Sequence, residues 1–156
     1  MPDAAVSAAV DNDTTVAHQL SKVLADSYAI YLKTHGYHWN VRGLTFRSLH
    51  LLFMDQYTEM WTALDEIAER ILALGQTAPM TGSAFASLAT VGEGDPAKSG
   101  EEMVRDLAEG HQQVIATLKA LVNAAEAAGD GPTQDLANMR LAAHEKHLWM
   151  LRATLG

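Results

Sequence analysis

The sequence predicts an all-α protein: a bundle of four long helices, with a short extra helix in the connection between the second and the third. Ala, Leu, Glu and Met are frequent, and all four favour helices. Apolar residues recur at alternating spacings of three and four, which is the period of an amphipathic helix. No run of alternating β-branched residues is long enough to indicate a sheet. At 156 residues the chain has room for one such domain, which we assign to residues 13–156, after a flexible tail at residues 1–12.

The first two helices are delimited by residues that typically begin and end helices. The first is expected over residues 14–38, with Asp13 as its N-cap. The second is expected over residues 46–74, because Gly43 and Gly75 bracket it. Its apolar positions keep the helical spacing and predict a buried face; they are Phe46, Leu49, Phe53, Met60, Leu64, Ile67, Ile71 and Leu74.

A long connection separates the second helix from the third. Residues 75–100 are rich in Gly, Ser, Thr and Pro, and within them residues 83–90 can form the short helix. The third helix begins near Ser99, and Pro132 is well placed at the start of the fourth, which runs to about residue 155. The apolar stripe of the third helix consists of Val104, Leu107, His111, Val114, Leu118, Leu121 and Ala125. The connection is long enough to cross the bundle, which allows the second and third helices to run parallel.

Charge and composition exclude several classes of function. The net charge of −8 argues against a general nucleic-acid surface and suits a protein that concentrates cations. The absence of cysteine excludes disulfides, thiolate zinc sites and iron–sulfur clusters. The first twenty-one residues hold three Asp and no Lys or Arg, which is not a secretory signal. With no stretch of membrane-spanning length, we expect a cytoplasmic protein without a membrane partner, and nucleoid association stays open.

Two histidines and two carboxylates form a ligand set that suits redox-active iron: His38, His50, Asp65 and Glu69. Asp65 and Glu69 share one face of the second helix because they are four residues apart. His50 and Asp65 are separated by about 22 Å along that helix, at 1.5 Å per residue, so one metal ion cannot bridge them within one chain. Two antiparallel copies of the helix, related by a two-fold axis near residues 57–59, would bring His50 of each copy to the carboxylates of the other.

A second apolar seam on the same helix would support such a contact between copies. Met54, Trp61 and Leu72 lie on the same side as His50 and Asp65, beside the main apolar face. From the spacing alone an alternative stays open: the seam is ordinary core, and the two carboxylates are a solvated edge.

Several residues at fixed spacing resemble the Dps family, the ferritin-like "DNA-binding proteins from starved cells". The matching residues are His38-Trp39-Asn40-Val41-Arg42-Gly43, Phe46, Leu49-His50, Asp65-Glu66-Ile67-Ala68-Glu69-Arg70-Ile71 and Leu74-Gly75, with Leu148-Trp149 near the end. The resemblance implies a hollow homododecamer of ferritin-like four-helix bundles, with a ferroxidase centre at each two-fold interface. It implies that hydrogen peroxide is the preferred oxidant of Fe(II), and that ferric mineral is stored inside. None of the seven histidines has a Glu three residues before it, which disfavours other di-iron bundles.

The resemblance also implies roles for individual residues. His38 and His50 would be the nitrogen ligands from one subunit, and Asp65 and Glu69 the anionic ligands from its partner. Iron, as Fe(II) and Fe(III), would occupy this catalytic site, with zinc as a competitor. Trp39 would lie beside the centre as a redox partner.

Met54 is the departure from the family that matters most. Family members often carry a carboxylate at this position, one turn after His50, whereas a thioether is a poor ligand for Fe(II). Occupancy of a second iron position is therefore in question. Water, Glu66 or His35 could compensate.

Two further groups have competing interpretations. His35 either reaches the metal or packs beside it, and His144 and His147, with His111, either form another metal site or pack in the interior. In the family, the region around the turn between the third and fourth helices lines pores for cations. Its acidic residues here, which could otherwise serve surface solubility, are Glu126, Asp130 and Asp135.

Three functions follow from this sequence. The first is an iron-storing ferroxidase that removes Fe(II) and peroxide together and so protects against oxidative damage. The second is a metal-buffering cage without efficient redox turnover, which Met54 favours. The third is a nucleoid DNA-binding protein, against which the acidic N-terminal residues argue.

Overall fold

The chain folds into an all-α bundle, as the sequence predicts. The computed structural model describes the backbone from Ala4 and the side chains from Val16, in both cases to the C-terminus. Within this part of the chain there are five helices and no strand: α1 Ala4–Asn40, α2 Phe46–Ala73, α3 Gly82–Leu88, α4 Gly100–Ala127 and α5 Gly131–Leu155. The prediction of four long helices with a short extra helix between the second and third is confirmed. None of the described helices is long and apolar enough to span a membrane.

The first helix begins earlier in the chain than predicted. Its backbone begins at Ala4 rather than near residue 14. The predicted tail at residues 1–12 and the predicted Asp13 cap fall on positions whose side chains lie outside the described residues, and both stay predictions.

Contacts between helices establish the directions in which they run. Asp26 of α1 bonds to Thr117 of α4, whereas Tyr37, further along α1, bonds to Asp106, which is earlier in α4. The helices α1 and α4 are therefore antiparallel. α1 and α2 are joined by a short turn, and His38 near the end of one contacts His50 near the start of the other. α2 and α4 consequently run parallel, as the long connection allows.

Side-chain capping and glycine conformations set the ends of the helices. Ser99 and Glu102 form a reciprocal capping box at the start of α4. Asp130 accepts the backbone N–H of Thr133 and caps α5. Gly75, at φ +80°, follows the end of α2 in a left-handed conformation that other residues rarely adopt.

The core confirms the predicted apolar stripe of α4 and corrects one residue of α2. All seven residues predicted on the α4 stripe are buried. On α2, Leu49, Phe53, Met60, Ile67 and Ile71 are buried, and Leu64 and Leu74 are partly buried. Phe46 is 43% exposed, so its assignment to the buried face is wrong. It is the first residue of α2, directly after the turn at Gly43, and its ring stacks on His50 instead of entering the core.

A buried carboxylate attaches the long connection to the bundle. Asp26 of α1 is fully buried and accepts hydrogen bonds from the backbone N–H and hydroxyl of Thr90, the N–H of Val91 and the hydroxyl of Thr117. These four bonds compensate for the loss of hydration of the carboxylate. They attach the connection at Thr90 and Val91 to α1, next to Thr117 of α4.

Candidate metal centre

His38 and His50 form a closely stacked pair at the junction of α1 and α2. Their ring centroids are 3.7 Å apart, and their planes differ by 13°. Each Nδ1 lies 2.7 Å from the backbone carbonyl oxygen of the other histidine. A carbonyl can only accept, so both Nδ1 atoms carry the proton and donate it. With Nδ1 occupied in this way, the lone pair of an imidazole is on Nε2, the nitrogen that each ring can offer to a metal ion.

The stacked pair is covered by two further aromatic rings. Phe46 stacks on His50 with a centroid separation of 4.9 Å and an interplanar angle of 26°. Tyr57 meets His38 edge-on, at 5.1 Å and 68°. Sequence reasoning assigned Phe46 to the core and gave Tyr57 no role in the site. The signal that could have identified Phe46 is its position four residues before His50, which places both on the same face of α2.

Asp65 and Glu69 lie further along α2, exposed and without partners. Among the described residues, neither carboxylate takes part in a hydrogen bond or ion pair with another side chain. Two unpaired carboxylates one turn apart repel each other, which costs free energy that a bound cation would recover. The structure thus leaves these two acids available as ligands, at a distance from the histidines of the same subunit.

One subunit alone does not assemble the four residues. Among the described residues, no group of three His, Cys, Asp or Glu side chains is arranged to hold a metal ion. This finding agrees with the separation of about 22 Å along α2 expected from the helical rise. A centre containing all four ligands requires a second copy of the chain.

Large apolar side chains surround the separated ligands on the outer face of α1 and α2. Trp39, Trp61 and Leu72 are 62%, 57% and 55% exposed. Exposed apolar groups of this size, concentrated on one face, are typical of a surface that another protein covers. The alternative in which the second seam of α2 is ordinary core is therefore wrong for Trp61 and Leu72.

The residues near Met54 do not supply an obvious replacement carboxylate. Met54 itself is partly buried, and Glu66 is exposed. The hydroxyl of Tyr31 lies 2.9 Å from Nδ1 of His35, whose ring stacks on Tyr57 at 3.8 Å. Burial, followed by the nearby His38, lowers the pKa of His35. His35 thus packs against the histidine pair within the subunit.

The other histidines form a network inside the bundle. His111 and His144 are fully buried, and their Nδ1 atoms are 2.9 Å apart. His147 donates from Nε2 to Glu59, which also accepts two hydrogen bonds from Arg140. The guanidinium, a permanent cation, lies within this cluster. Of the two alternatives from the sequence, the interior packing of these histidines is supported, because no described group of three ligands converges on a metal position.

The protonation pattern of this network follows from Arg140, which can only donate. Its Nη2 lies 3.4 Å from Nε2 of His144, so that nitrogen is an acceptor and the proton of His144 is on Nδ1. His144 therefore donates to Nδ1 of His111. The remaining proton of His111 is on Nε2, which is buried and has no hydrogen-bond partner in the structure.

The three acidic residues near the α4–α5 turn differ in their surroundings. Asp130 caps α5 and forms an ion pair of 2.9 Å with Arg70 of α2. Burial raises the pKa of Asp130, but hydrogen bonds from Thr133 and the charge of Arg70 outweigh it, and the net shift is downward. Glu126 and Asp135 are exposed. Asp130 thus has a structural role, and only the other two carboxylates point freely to solvent.

Comparison with known proteins identifies similar sequences over nearly the whole chain. A family described as the ferritin-like domain matches residues 17–156. "DNA protection during starvation protein 2" of Bacillus anthracis is 36% identical over 141 residues, which cover 90% of this chain and 97% of that protein. "DNA protection during starvation protein" of Brevibacillus brevis is 35% identical over 140 residues, with 90% and 94% covered.

Solved structures agree with the sequence comparison. A Dps protein from Bacillus brevis superposes with a TM-score of 0.90 at 34% identity and covers 94% of this chain and 98% of its own. Dps from Thermosynechococcus elongatus gives a TM-score of 0.92 at 30% identity, with 96% and 95% covered. A Vibrio cholerae Dps protein, described as a member of a broad superfamily of ferritin-like diiron-carboxylate proteins, gives 0.89 at 30% identity, with 94% and 92% covered.

Proposed function

Because the chain belongs to the Dps family of ferritin-like proteins, we propose that it is an iron-storing ferroxidase that works as a homododecamer. Fe(II) is its substrate, and the ferric product is stored as mineral inside the shell. Zinc is expected to compete for the same ligands. A cytoplasmic location stays a prediction.

The histidine pair is the observation that carries this proposal. The two imidazoles donate their Nδ1 protons to backbone carbonyls, which leaves Nε2 as the nitrogen for a ligand. Ligating histidines in metalloproteins are oriented in this way, by a hydrogen bond from the nitrogen that does not bind the metal. Within the described residues, from Val16 onward, neither Nε2 has a hydrogen-bond partner, so metal binding is the chemistry that best accounts for the arrangement.

Two antiparallel copies of α2 would complete the centre. Asp65 and Glu69 of one subunit would then face His38 and His50 of its partner, and the reverse, giving two equal sites per dimer. Burial of the exposed side chains of Trp61 and Leu72 would contribute to the association, at roughly 25 cal/mol per Å² of apolar surface removed from water. The carboxylates would balance the charge of Fe(II) and favour Fe(III) after oxidation.

The proposed reaction consumes peroxide without releasing hydroxyl radical. Two Fe(II) ions give up one electron each, and these reduce one hydrogen peroxide, with two protons, to two waters. Trp39, exposed beside the histidine pair and 4.3 Å from His35 between ring centroids, is the proposed redox partner of the centre. Removal of both reactants together would protect the cell from oxidative damage.

Stopped-flow oxidation of Fe(II) by the purified assembly tests the proposal. Rapid oxidation with peroxide and slow oxidation with oxygen are expected. Asp65→Ala should abolish the rapid phase while the shell still assembles, because the partner's histidines lose a carboxylate ligand. Asp55→Ala, which removes an exposed carboxylate from another face of α2, is the matched control and should leave the rate unchanged. Unchanged oxidation in Asp65→Ala would refute the assignment.

Met54 favours a second candidate, a metal-buffering cage. A thioether in place of a carboxylate weakens the second iron position, and a site with one iron supplies only one electron. Tight metal binding, combined with slow oxidation by both peroxide and oxygen, would establish this function instead.

DNA binding is the third candidate and has the least support. The relatives are named for DNA protection, and removal of Fe(II) and peroxide would protect DNA without contact. The first twenty-one residues here carry no Lys or Arg for phosphate binding. A salt-dependent gel shift at neutral pH would be needed to support direct binding.

Cation entry is proposed at Glu126 and Asp135. Both carboxylates are exposed near the α4–α5 turn, where rings of acidic residues from symmetry-related subunits would focus Fe(II) toward the cavity. Asp130, which is committed to Arg70 and to the α5 cap, is expected to shape this region rather than to bind the passing ion.

A further inference from the structure

Phe46 lies on the face of His50 opposite to His38. Both neighbours are nearly parallel to the imidazole of His50, with interplanar angles of 26° and 13°. Two parallel rings cannot occupy the same face of one imidazole, so His50 is held between them. Phe46, His50 and His38 form a continuous stack of three rings.

Packing in the core does not explain this position of Phe46. The side chain is 43% exposed, whereas other apolar residues on its seam, such as Leu49 and Phe53, are buried. Phe46 begins α2, and its backbone N–H bonds to the carbonyl of Gly43, a residue at φ +107°. This tight turn brings the first residue of α2 over the ring that lies one helical turn further on.

The stack restricts a rotation of the His50 ring that its hydrogen bond still permits. The bond from Nδ1 of His50 to the carbonyl of His38 fixes one edge of the imidazole, but the ring can still swing about that bond. His38 limits the swing on one face, and Phe46 limits it on the other. The ring of His38 is likewise confined, between His50 and the edge of Tyr57.

We infer that Phe46 is a positioning residue that holds His50 with its Nε2 directed to the metal before the metal binds. This inference rests on the proposed function, since it concerns the same histidine pair. Phe46 does not touch the metal itself. Because Phe46 already holds the His50 ring in one orientation, less conformational entropy is lost when the metal binds. This strengthens metal binding without changing the chemistry of oxidation.

Substitutions that keep or remove the ring test this role. Phe46→Leu keeps an apolar side chain without the ring, and Phe46→Tyr restores the ring. Removal of groups that orient metal ligands lowers metal affinity by roughly 10- to 100-fold, and a stacked ring without a hydrogen bond is expected near the lower end. We expect the dissociation constant for Co(II), measured by calorimetry on the assembled shell, to rise about 10-fold in Phe46→Leu and to stay within about twofold in Phe46→Tyr.

Kinetics give a second readout that a general structural effect would not produce. The Fe(II) concentration at half-maximal rate should rise in Phe46→Leu, while the rate at saturating Fe(II) stays unchanged. Leu51→Ala removes another exposed apolar side chain close to His50 and is the matched control, expected to keep the wild-type affinity. If Phe46→Leu fails to assemble, Phe46→Met, which also lacks the ring but has a longer and more flexible apolar side chain, takes its place.

Three outcomes would overturn the inference. Wild-type affinity in Phe46→Leu would show that the ring does not position His50. An equal loss of Co(II) affinity in Phe46→Leu and Phe46→Tyr, or in Phe46→Leu and Leu51→Ala, would show that the effect comes from the surface between subunits and not from the ring. If wild-type protein binds no more Co(II) than His50→Ala, the proposed metal centre itself is wrong; that result is distinct, because it does not depend on Phe46.

Discussion

Mild acid should destabilise this bundle through two buried histidines that are far from the metal centre. Burial, followed by the neighbouring charges of His147 and Arg140, lowers the pKa of His111 to about 3. Burial also lowers the pKa of His144 well below its ordinary value, with His111 and Arg140 adding to the shift. Both rings are neutral in the folded protein. An added proton on either ring would turn a nitrogen that now accepts a hydrogen bond into a donor that faces another donor.

The direction of the effect follows from proton binding in the two states. Below pH 6.5 the unfolded chain takes up protons on these histidines, whereas the folded chain does not. Stability is therefore complete above pH 6.5 and is lost as the pH falls toward the folded pKa. For His111 the difference between 6.5 and about 3 corresponds to about 5 kcal/mol, at about 1.4 kcal/mol per pH unit. His144 acts in the same direction, so the unfolding constant should rise up to about 100-fold per pH unit.

Urea denaturation between pH 7 and pH 4.5, at one fixed subunit concentration, measures this effect. The lower limit of pH 4.5 keeps the titration of Glu59 out of the measurement. Burial raises the pKa of Glu59, but hydrogen bonds from His147 and Arg140 lower it overall from 4.5 to about 2, so its contribution is lost only in stronger acid. The free energy of unfolding should fall by roughly 3 kcal/mol through His111 between pH 6.5 and pH 4.5, and further in the same direction through His144.

A double substitution identifies the source of the pH dependence. His111→Leu with His144→Leu removes both partners of one buried hydrogen bond, which is far less costly than removing one. The variant should retain a fold but lose most of the slope, with a smaller remainder from partly buried His35. Substitution of the exposed His18 by Gln is the control. A flat wild-type profile, or an unchanged slope in the double variant, would refute the reasoning.

Three further substitutions test other parts of the structure. Met54→Glu should speed oxidation of Fe(II) by peroxide several-fold in stopped-flow measurements, because it restores a carboxylate one turn after His50; a slower rate would show that the thioether is not the limitation. Asp26→Ala should lower the free energy of unfolding by roughly 3–5 kcal/mol in urea, since it strands the buried N–H and hydroxyl donors that it now binds. Gly110→Ala should cost about 1–3 kcal/mol by the same assay, because a Cβ there would lie 2.6 Å from Cδ1 of Ile30, and wild-type stability would mean that this side chain moves without penalty.

Local signals in the sequence were sufficient to predict the helices, and together with the family resemblance they gave the four proposed ligands, which stay a prediction. The apolar period and the flanking residues predicted both ends of α2 and the start of α4 within one residue, because burial of one helix face depends on spacing along the chain. Helix rise alone separated His50 from the carboxylates and so predicted a site shared by two subunits. That prediction needed no tertiary contact, and the structure is consistent with it at the level of one subunit.

The roles of individual side chains depended on contacts that spacing does not reveal. Phe46 continues the apolar period of α2, yet it lies outside the core and against His50, because the tight turn between Gly43 and Phe46 sets the position of the first residue of α2. From the sequence, Asp130 is one of three acidic residues near a turn. In the structure α2 and α5 pack antiparallel, and Arg70 of α2 therefore forms an ion pair with it.

The sequence by itself therefore determined the class of fold and indicated the four residues that we propose to bind iron, and the length of the α2–α4 connection allowed a parallel arrangement that the tertiary contacts then established. Only the tertiary structure decided which hydrogen bonds each histidine ring makes, and so whether His111, His144 and His147 pack in the interior. His38 and His50 donate their Nδ1 protons to carbonyl oxygens and keep Nε2 free, whereas His111 and His144 bond to each other in the interior. Identical side chains thus differ in role because the hydrogen-bond partner of each ring nitrogen is set by residues distant in the chain.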